Sequence, residues 1–135
     1  MDALSWRELL RRDGHLELQA PATQQEIAEV ERRLGAELPV ELRGLYEATN
    51  GAFHTLGQWF VLWRLEDVAD RNVDAWIGRE SAERKKYLGF GDDGTGSPYC
   101  VALDGEAAVV TWSPILQEAD VLAPTLREFC LSWLL

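Results

Sequence analysis

Residues 87–112 read YLGFGDDGTGSPYCVALDGEAAVVTW, and this stretch decides the fold. A short apolar run opens it and leads into a loop at 91–96 that is rich in glycine and aspartate. Tyr99 to Leu103 alternates apolar side chains, which predicts a strand. Asp104-Gly105 is a strong tight-turn signal, and residues 108–112 form the partner strand. The stretch therefore predicts an antiparallel meander.

Helical patterns lie on both sides of this meander. Thr23 is a good N-cap and Glu26 completes a capping box, so a helix begins there and ends at Gly35. A second predicted helix follows it closely and runs from Leu38-Pro39 to Asn50-Gly51. Further helices are predicted at 3–12, at 65–79 and at 124–134, the last with Leu126, Phe129, Cys130 and Trp133 on one side. Helices, then a meander, then a closing helix is the order of an α+β fold.

Length and composition favour one globular domain, residues 1–135. Hydrophobic residues make up 47% of the chain, and six of them are tryptophan, so a sizeable core is expected. Cys100 and Cys130 lie in apolar runs without metal-ligand spacing, which indicates buried, reduced thiols. The opening MDALSWRELL does not read as a signal peptide, so we expect a cytoplasmic protein.

The charge is strongly negative and unevenly placed. The formal net charge is -10, and residues 89–135 hold seven acids and one base. Such a surface repels nucleic acids and anionic membranes, and it attracts a basic protein partner. The alternative is that the acidity serves solubility alone.

Motifs for catalysis, metals or cofactors are weak. Residues 89–94, GFGDDG, match the spacing of a dinucleotide loop, but a strand follows where that site needs a helix. A calcium loop that starts at Asp92 would place Leu103 where a glutamate is required. His15 and His54 lie in predicted loops, and neither neighbours a nucleophile. We expect no enzyme activity, no metal and no cofactor.

The run 59–63, WFVLW, is apolar on both faces of a predicted strand. Trp59, Val61 and Trp63 share one face, and Phe60 and Leu62 share the other. One interpretation is an uncovered aromatic patch that contacts a partner. The other is that the helical segment 65–79 or the N-terminal helix covers it.

Three blocks of this sequence resemble the SUKH superfamily. The first comprises Thr23, Glu26, Ile27, Glu31, Leu34 and Gly35, then Leu38-Pro39, Leu42, Leu45, Tyr46 and Asn50-Gly51. The second is FGDDGTG at 90–96 with YCVAL at 99–103, and the third is VVTW at 109–112, followed by a closing helix that carries Phe129. The similarity runs over residues 23–133. Ser113-Pro114 departs from it, because family members often carry an acid or a histidine there.

The resemblance implies an antiparallel sheet of about four to six strands with flanking helices. This superfamily contains immunity proteins of bacterial toxin systems and a fungal regulator of cell-wall glucan synthesis. It implies a non-enzymatic immunity protein that neutralises a cognate toxin, often a nuclease, and a basic toxin domain as the partner. The predicted contact residues are Asp92, Asp93, Asp104, Glu106, Trp59 and Trp63.

Two other functions stay open. A regulatory or scaffold protein of the same fold would bind a protein that is not a toxin. An enzyme acting on a small ligand would need a deep polar pocket in which His15 or His54 meets carboxylates.

Overall fold

The computed structural model describes residues 1–77 and 82–134. The side chains of residues 133 and 134 are not described. Arg79, predicted at the end of the fourth helix, and the Trp133 side chain lie outside the described residues. The helices are α1 (Ala3–Leu10), α2 (Gln24–Leu34), α3 (Val40–Ala48), α4 (Leu65–Ile77) and α5 (Leu126–Phe129), with a 3₁₀ helix at Ala82–Lys86 and a π-helical turn at Cys130–Leu134. The strands are β1 (Leu16–Leu18), β2 (Ala52–His54), β3 (Trp59–Leu62), β4 (Tyr87–Asp92), β5 (Pro98–Ala102), β6 (Val109–Ser113) and β7 (Glu118–Ala123).

Within the described residues, seven strands form one antiparallel sheet in the order β1 to β7. The α+β class is confirmed, and so is the hairpin, in which Tyr99 faces Thr111 across β5 and β6. The expected four to six strands were too few, because β1 and β2 have three residues each and β7 is an exposed edge strand. Leu103 lies beyond β5, and the closing α-helix spans only Leu126–Phe129 before it widens into the π-helical turn.

The start of α2 is joined to the start of α4. Thr23 and Glu26 form the predicted capping box. The Thr23 hydroxyl accepts from the Glu26 backbone N–H at 3.1 Å, and the Glu26 carboxylate accepts from the Thr23 backbone N–H at 2.9 Å. The Asn50 amide donates to Glu26 at 3.3 Å and accepts from the backbone N–H of Leu65, the first residue of α4, at 2.8 Å. These residues of the first SUKH-like block are therefore structural, because they satisfy the N–H groups that helix starts leave unpaired.

Glu31 joins α2 to α3 by hydrogen bonds from its side chain. Its carboxylate accepts from the Leu38 backbone N–H at 2.8 Å and from the Arg43 guanidinium at 2.6 Å. The leucine-proline step is thereby held against α2.

The main core lies on one face of the sheet. Phe129 packs edge-on against Phe90 and Tyr99, with ring centroids 5.8 and 4.8 Å away. Tyr46 of α3 is buried below them, and its hydroxyl donates to the Trp63 carbonyl at 2.6 Å. The opposite face carries a smaller cluster, which comprises Cys100, Val110 and Trp112 with Tyr87 and Ala119 packed against it. The two cysteines are buried and unpaired, as predicted.

Helix α4 lies along β4 and satisfies backbone groups of that strand. The Asn72 amide donates to the Gly89 carbonyl at 2.8 Å and accepts from the Gly89 N–H at 2.7 Å. One helical turn later, Trp76 Nε1 donates to the Tyr87 carbonyl at 3.2 Å, and Arg84 donates to the same oxygen at 2.6 Å. Residues four apart on one face of a helix are spaced much like residues two apart on one side of a strand, so both bonds can form along β4. We call Asn72 and Trp76 the α4 clamp.

The seam between β3 and β4 is short. In the described residues, these strands share one register pair, Leu62 with Gly91. A Cβ atom on Gly91 would lie 2.1 Å from the Val61 carbonyl oxygen, so the seam closes only with glycine there. The Trp63 backbone N–H adds a bond of 2.9 Å to the Phe90 carbonyl.

Candidate protein-binding surface

The antiparallel order places the hairpin turns at two opposite ends of the sheet. The turns at residues 55–58, 93–97 and 114–117 lie at one end, which we call the three-turn end. The turn at 103–108 lies at the other, which we call the Asp104 end. The six contact residues predicted from the sequence are therefore divided between two surfaces.

Asp92 and Trp63 form a buried pair at the three-turn end. Asp92 Oδ2 accepts from Trp63 Nε1 at 2.9 Å, and Oδ1 accepts from the Gly94 N–H at 2.7 Å. The Arg71 guanidinium lies 3.5 Å from the same carboxylate and 4.5 Å from the Trp63 ring centroid. Asp92 is 8% exposed and Trp63 is 5% exposed. These two residues support the turn and leave little side chain for a partner.

Helix α4 therefore covers the Trp63 end of the aromatic run, in agreement with the interpretation that the segment 65–79 covers it. The helix does not cover the Trp59 end. Trp59 is half-buried, and its ring stacks on His54 with centroids 4.8 Å apart. Its indole Nε1 donates to the Asp92 backbone carbonyl at 3.2 Å. The ring passes so close to Gly57 that a Cβ atom there would overlap it, 1.5 Å from the nearest ring carbon. Trp59 is thus held rigidly between two turns.

Asp93 is exposed at the tip of the middle turn. Its Oδ1 atom accepts from the Thr95 N–H at 2.8 Å, and Gly94 and Gly96 take φ values of 91° and 96°. These positive angles explain Gly94 and Gly96, since other residues rarely adopt them. Burial raises the pKa of Tyr99 to about 12, and the negative charges of Asp93 and Asp92 add to this shift.

The Asp104 end carries the other two predicted acids. Asp104 and Glu106 are exposed, and the Glu106 N–H donates to Asp104 Oδ1 at 3.0 Å. Beside them an apolar groove of about 350 Å³ runs between this turn, the start of α3 and Leu126. Glu37 and Glu41 also line that groove.

Sequence reasoning missed the apolar tips of the three-turn end. Leu56, Ile115 and Leu116 are 69%, 91% and 65% exposed. In the sequence they look like ordinary hydrophobic residues near strands. The available signal was their position inside turns, where Gly57 and Pro114 flank them and an outward direction is forced.

The enzyme alternative depends on His15 or His54 meeting carboxylates in a deep polar pocket. The His15 and His54 rings are 6.3 Å apart, and His54 Nδ1 accepts from the Gly57 N–H. Neither histidine lines the polar groove of about 640 Å³ at the starts of α2 and α4. Across residues 1–77 and 82–134, no three histidine, cysteine or acidic side chains gather as metal ligands would. No helix in that part of the chain has the length and apolar character to cross a bilayer.

Comparison with known proteins agrees with the fold and with the motifs. No match to a curated protein was found. The family model described as SMI1 / KNR4 family (SUKH-1) matches residues 21–132, which is most of the chain. The match covers both ends of the sheet, the capping residues of the helices and the GDDGTG turn. The chain therefore belongs to the SMI1/KNR4 family, SUKH-1.

Proposed function

We propose that the protein is a non-enzymatic immunity protein that neutralises a basic toxin domain by binding it. Membership of SUKH-1 carries this proposal. The net charge of -10 supports it, because a domain that binds nucleic acid, such as a nuclease, presents a basic surface to phosphates. An acidic protein competes for that surface by the same attraction, and it needs no chemistry of its own.

Four of the six predicted contact residues suit this function. Asp93, Asp104 and Glu106 are exposed, and Trp59 is half-buried on a rigid support. Charges of this kind chiefly accelerate encounter, and salt screens them over about 8 Å at physiological ionic strength. The association rate should therefore fall steeply as salt rises, while the dissociation rate changes less.

Co-expression tests the proposal. The toxin encoded beside the gene is induced in cells with and without this protein, and growth is followed. A toxin variant without its catalytic residue is the control for the burden of expression. Rescue of growth together with a purified complex of the two proteins is expected. Equal killing in both strains, with no complex on gel filtration, would contradict the proposal.

A regulatory or scaffold protein is the second function, because the matching family is described by SMI1 / KNR4 as well as by SUKH-1. A gene without a neighbouring toxin, and a stable complex with a protein that is not a toxin, would favour it. The measurement is affinity purification from the native host, with the interaction repeated from the two purified proteins.

A further inference from the structure

The first turn of the three-turn end, residues 55–58, is closed by three hydrogen bonds. The Gln58 N–H donates to the His54 carbonyl at 2.8 Å, and the Gln58 side-chain amide donates to the Thr55 carbonyl. The Gly57 N–H donates to the His54 ring at 3.1 Å. Gln58 has φ 60°, in the left-handed region.

The last turn, residues 114–117, has the same construction. The Gln117 N–H donates to the Ser113 carbonyl at 2.8 Å, and its side-chain amide donates to the Pro114 carbonyl at 2.6 Å. The Leu116 N–H donates to Ser113 Oγ at 3.1 Å. Gln117 has φ 55°, and in the described residues these two glutamines are the non-glycine positions with positive φ.

Glycine is the usual residue at such a position, because it takes positive φ without strain. A non-glycine residue in the left-handed region costs about 1 kcal/mol or more, and strained positions of this kind concentrate at functional sites. A glycine would remove the strain but also the amide bond that rigidifies the turn. Both turns therefore hold their tips in one conformation.

The tips that these turns hold are apolar and open to solvent. Leu56 projects from the first turn, and Ile115 and Leu116 project from the last. An apolar side chain on a rigid turn binds a pocket without the entropy loss of ordering a loop. Strands in a sheet are about 4.8 Å apart, so the first and last turns are roughly 20 Å apart along the sheet edge. That span suits one protein interface of ordinary size.

The middle turn supplies the charge. Asp93 is exposed there, between the apolar tips, and Glu118 begins the strand that leaves the last turn. The three turns contain no lysine and no arginine, and Arg71 of α4, which lies beside the middle turn, is paired with the buried Asp92. The partner that fits is therefore basic opposite the middle turn and apolar on either side of it.

We propose that the three-turn end is the surface by which this protein binds a basic protein domain with apolar pockets for Leu56 and for Ile115 and Leu116. The inference rests on the proposed function, and it names the face and the chemistry of the partner. Asp104 and Glu106 then lie outside the interface, at the opposite end of the sheet.

The test measures the affinity of the inactivated toxin domain that is encoded beside the gene. The variant Leu56→Ser, Ile115→Ser, Leu116→Ser should bind about 30-fold or more weakly, as expected when interface anchors are removed. Asp93→Asn keeps the oxygen that Thr95 needs, and it should slow association about 2–5-fold at low salt. The control is Val40→Ser, an exposed apolar residue (84%) beside the Asp104 end, which should bind as the unmodified protein does.

The outcomes separate this inference from the proposed function. If the unmodified protein binds and the triple variant binds equally well, with an unchanged melting temperature, the three-turn end is not the interface and the proposed function stands. If Asp104→Asn with Glu106→Gln abolishes binding instead, the interface is at the other end. If the unmodified protein neither binds nor protects, the proposed function fails and the inference fails with it. Loss of binding in the triple variant alone supports the inference.

Discussion

The α4 clamp provides a sharp test of how the sheet is held together. Asn72 is fully buried, and its amide makes four hydrogen bonds: two with Gly89, one with the Val68 carbonyl at 2.7 Å and one with Arg84 at 3.2 Å. This uses the whole bonding capacity of the amide. The perturbation is Asn72→Ala, which leaves the backbone N–H and carbonyl of Gly89 without partners.

The expected loss in the free energy of unfolding follows from the Gly89 backbone N–H and carbonyl, which lose their partners. A buried backbone group that loses its partner costs about 1–3 kcal/mol. Alanine returns roughly 0.6 kcal/mol of helix propensity. Water entering the new space relieves part of the penalty, so we expect a net loss of about 2–4 kcal/mol in the free energy of unfolding. For a chain of this length, that corresponds to a melting temperature lower by roughly 6–14 °C.

Urea unfolding followed by tryptophan fluorescence measures the loss. Asp74→Ala is the matched control, because Asp74 is exposed on the same helix and has a helix propensity close to that of asparagine. It should raise stability by no more than about that 0.6 kcal/mol of helix propensity. If Asn72→Ala costs less than about 1 kcal/mol relative to this control, with an unchanged m-value, the clamp does not hold β4.

Four further predictions concern stability and reactivity. Gly91→Ala should cost about 3 kcal/mol or more in urea unfolding, because its Cβ would overlap a backbone oxygen of β3, while Gly14→Ala, with open space around it, should cost little. Asp92→Asn should lower stability by about 1–3 kcal/mol, because the new amide NH₂ group must face either the Trp63 indole N–H or the Gly94 N–H, and both are donors. An unchanged urea unfolding curve would contradict the structural role of Asp92. Burial raises the pKa of Cys100 and of Cys130 to about 12, so neither thiol should react with Ellman's reagent at pH 8 until the protein unfolds. Because the unfolded thiols titrate near 9, the stability that they contribute is complete below pH 9 and is lost as the pH rises toward 12, which urea unfolding across that range checks.

Local rules explain which parts of the fold could be predicted. The capping box at Thr23 and the turn at Asp104 depend on residues within a few positions, so the sequence reveals them directly. β1 and β2 have three residues each and exist because they pair with neighbours. β7 has an exposed valine, Val121, on a strand edge, and its pattern lacks the alternation that marks a half-buried strand.

The surface was predictable only in part for a similar reason. Acids in turns are exposed as a rule, which holds for Asp93, Asp104 and Glu106. Asp92 differs from its neighbour Asp93 only by facing Trp63, and that contact spans 29 residues of chain. No local pattern distinguishes two adjacent aspartates in this way. The outward direction of Leu56 follows from its place in a turn, whereas the position of that turn relative to the turn at 114–117 requires the three-dimensional arrangement.

The short seam between β3 and β4 divides the sheet into two plates. One plate is β1 to β3 and the other is β4 to β7. They are joined by a single register pair, by the Trp63 backbone bond to Phe90, by the indole bonds of Trp59 and Trp63 to Asp92, and by helix α4 along β4. The three-turn end straddles this seam. Leu56 stands on the first plate, whereas Asp93 and Ile115 stand on the second. The angle between the two plates at this seam sets the distance between the two apolar tips, so residues away from the surface, such as Gly91, control that distance.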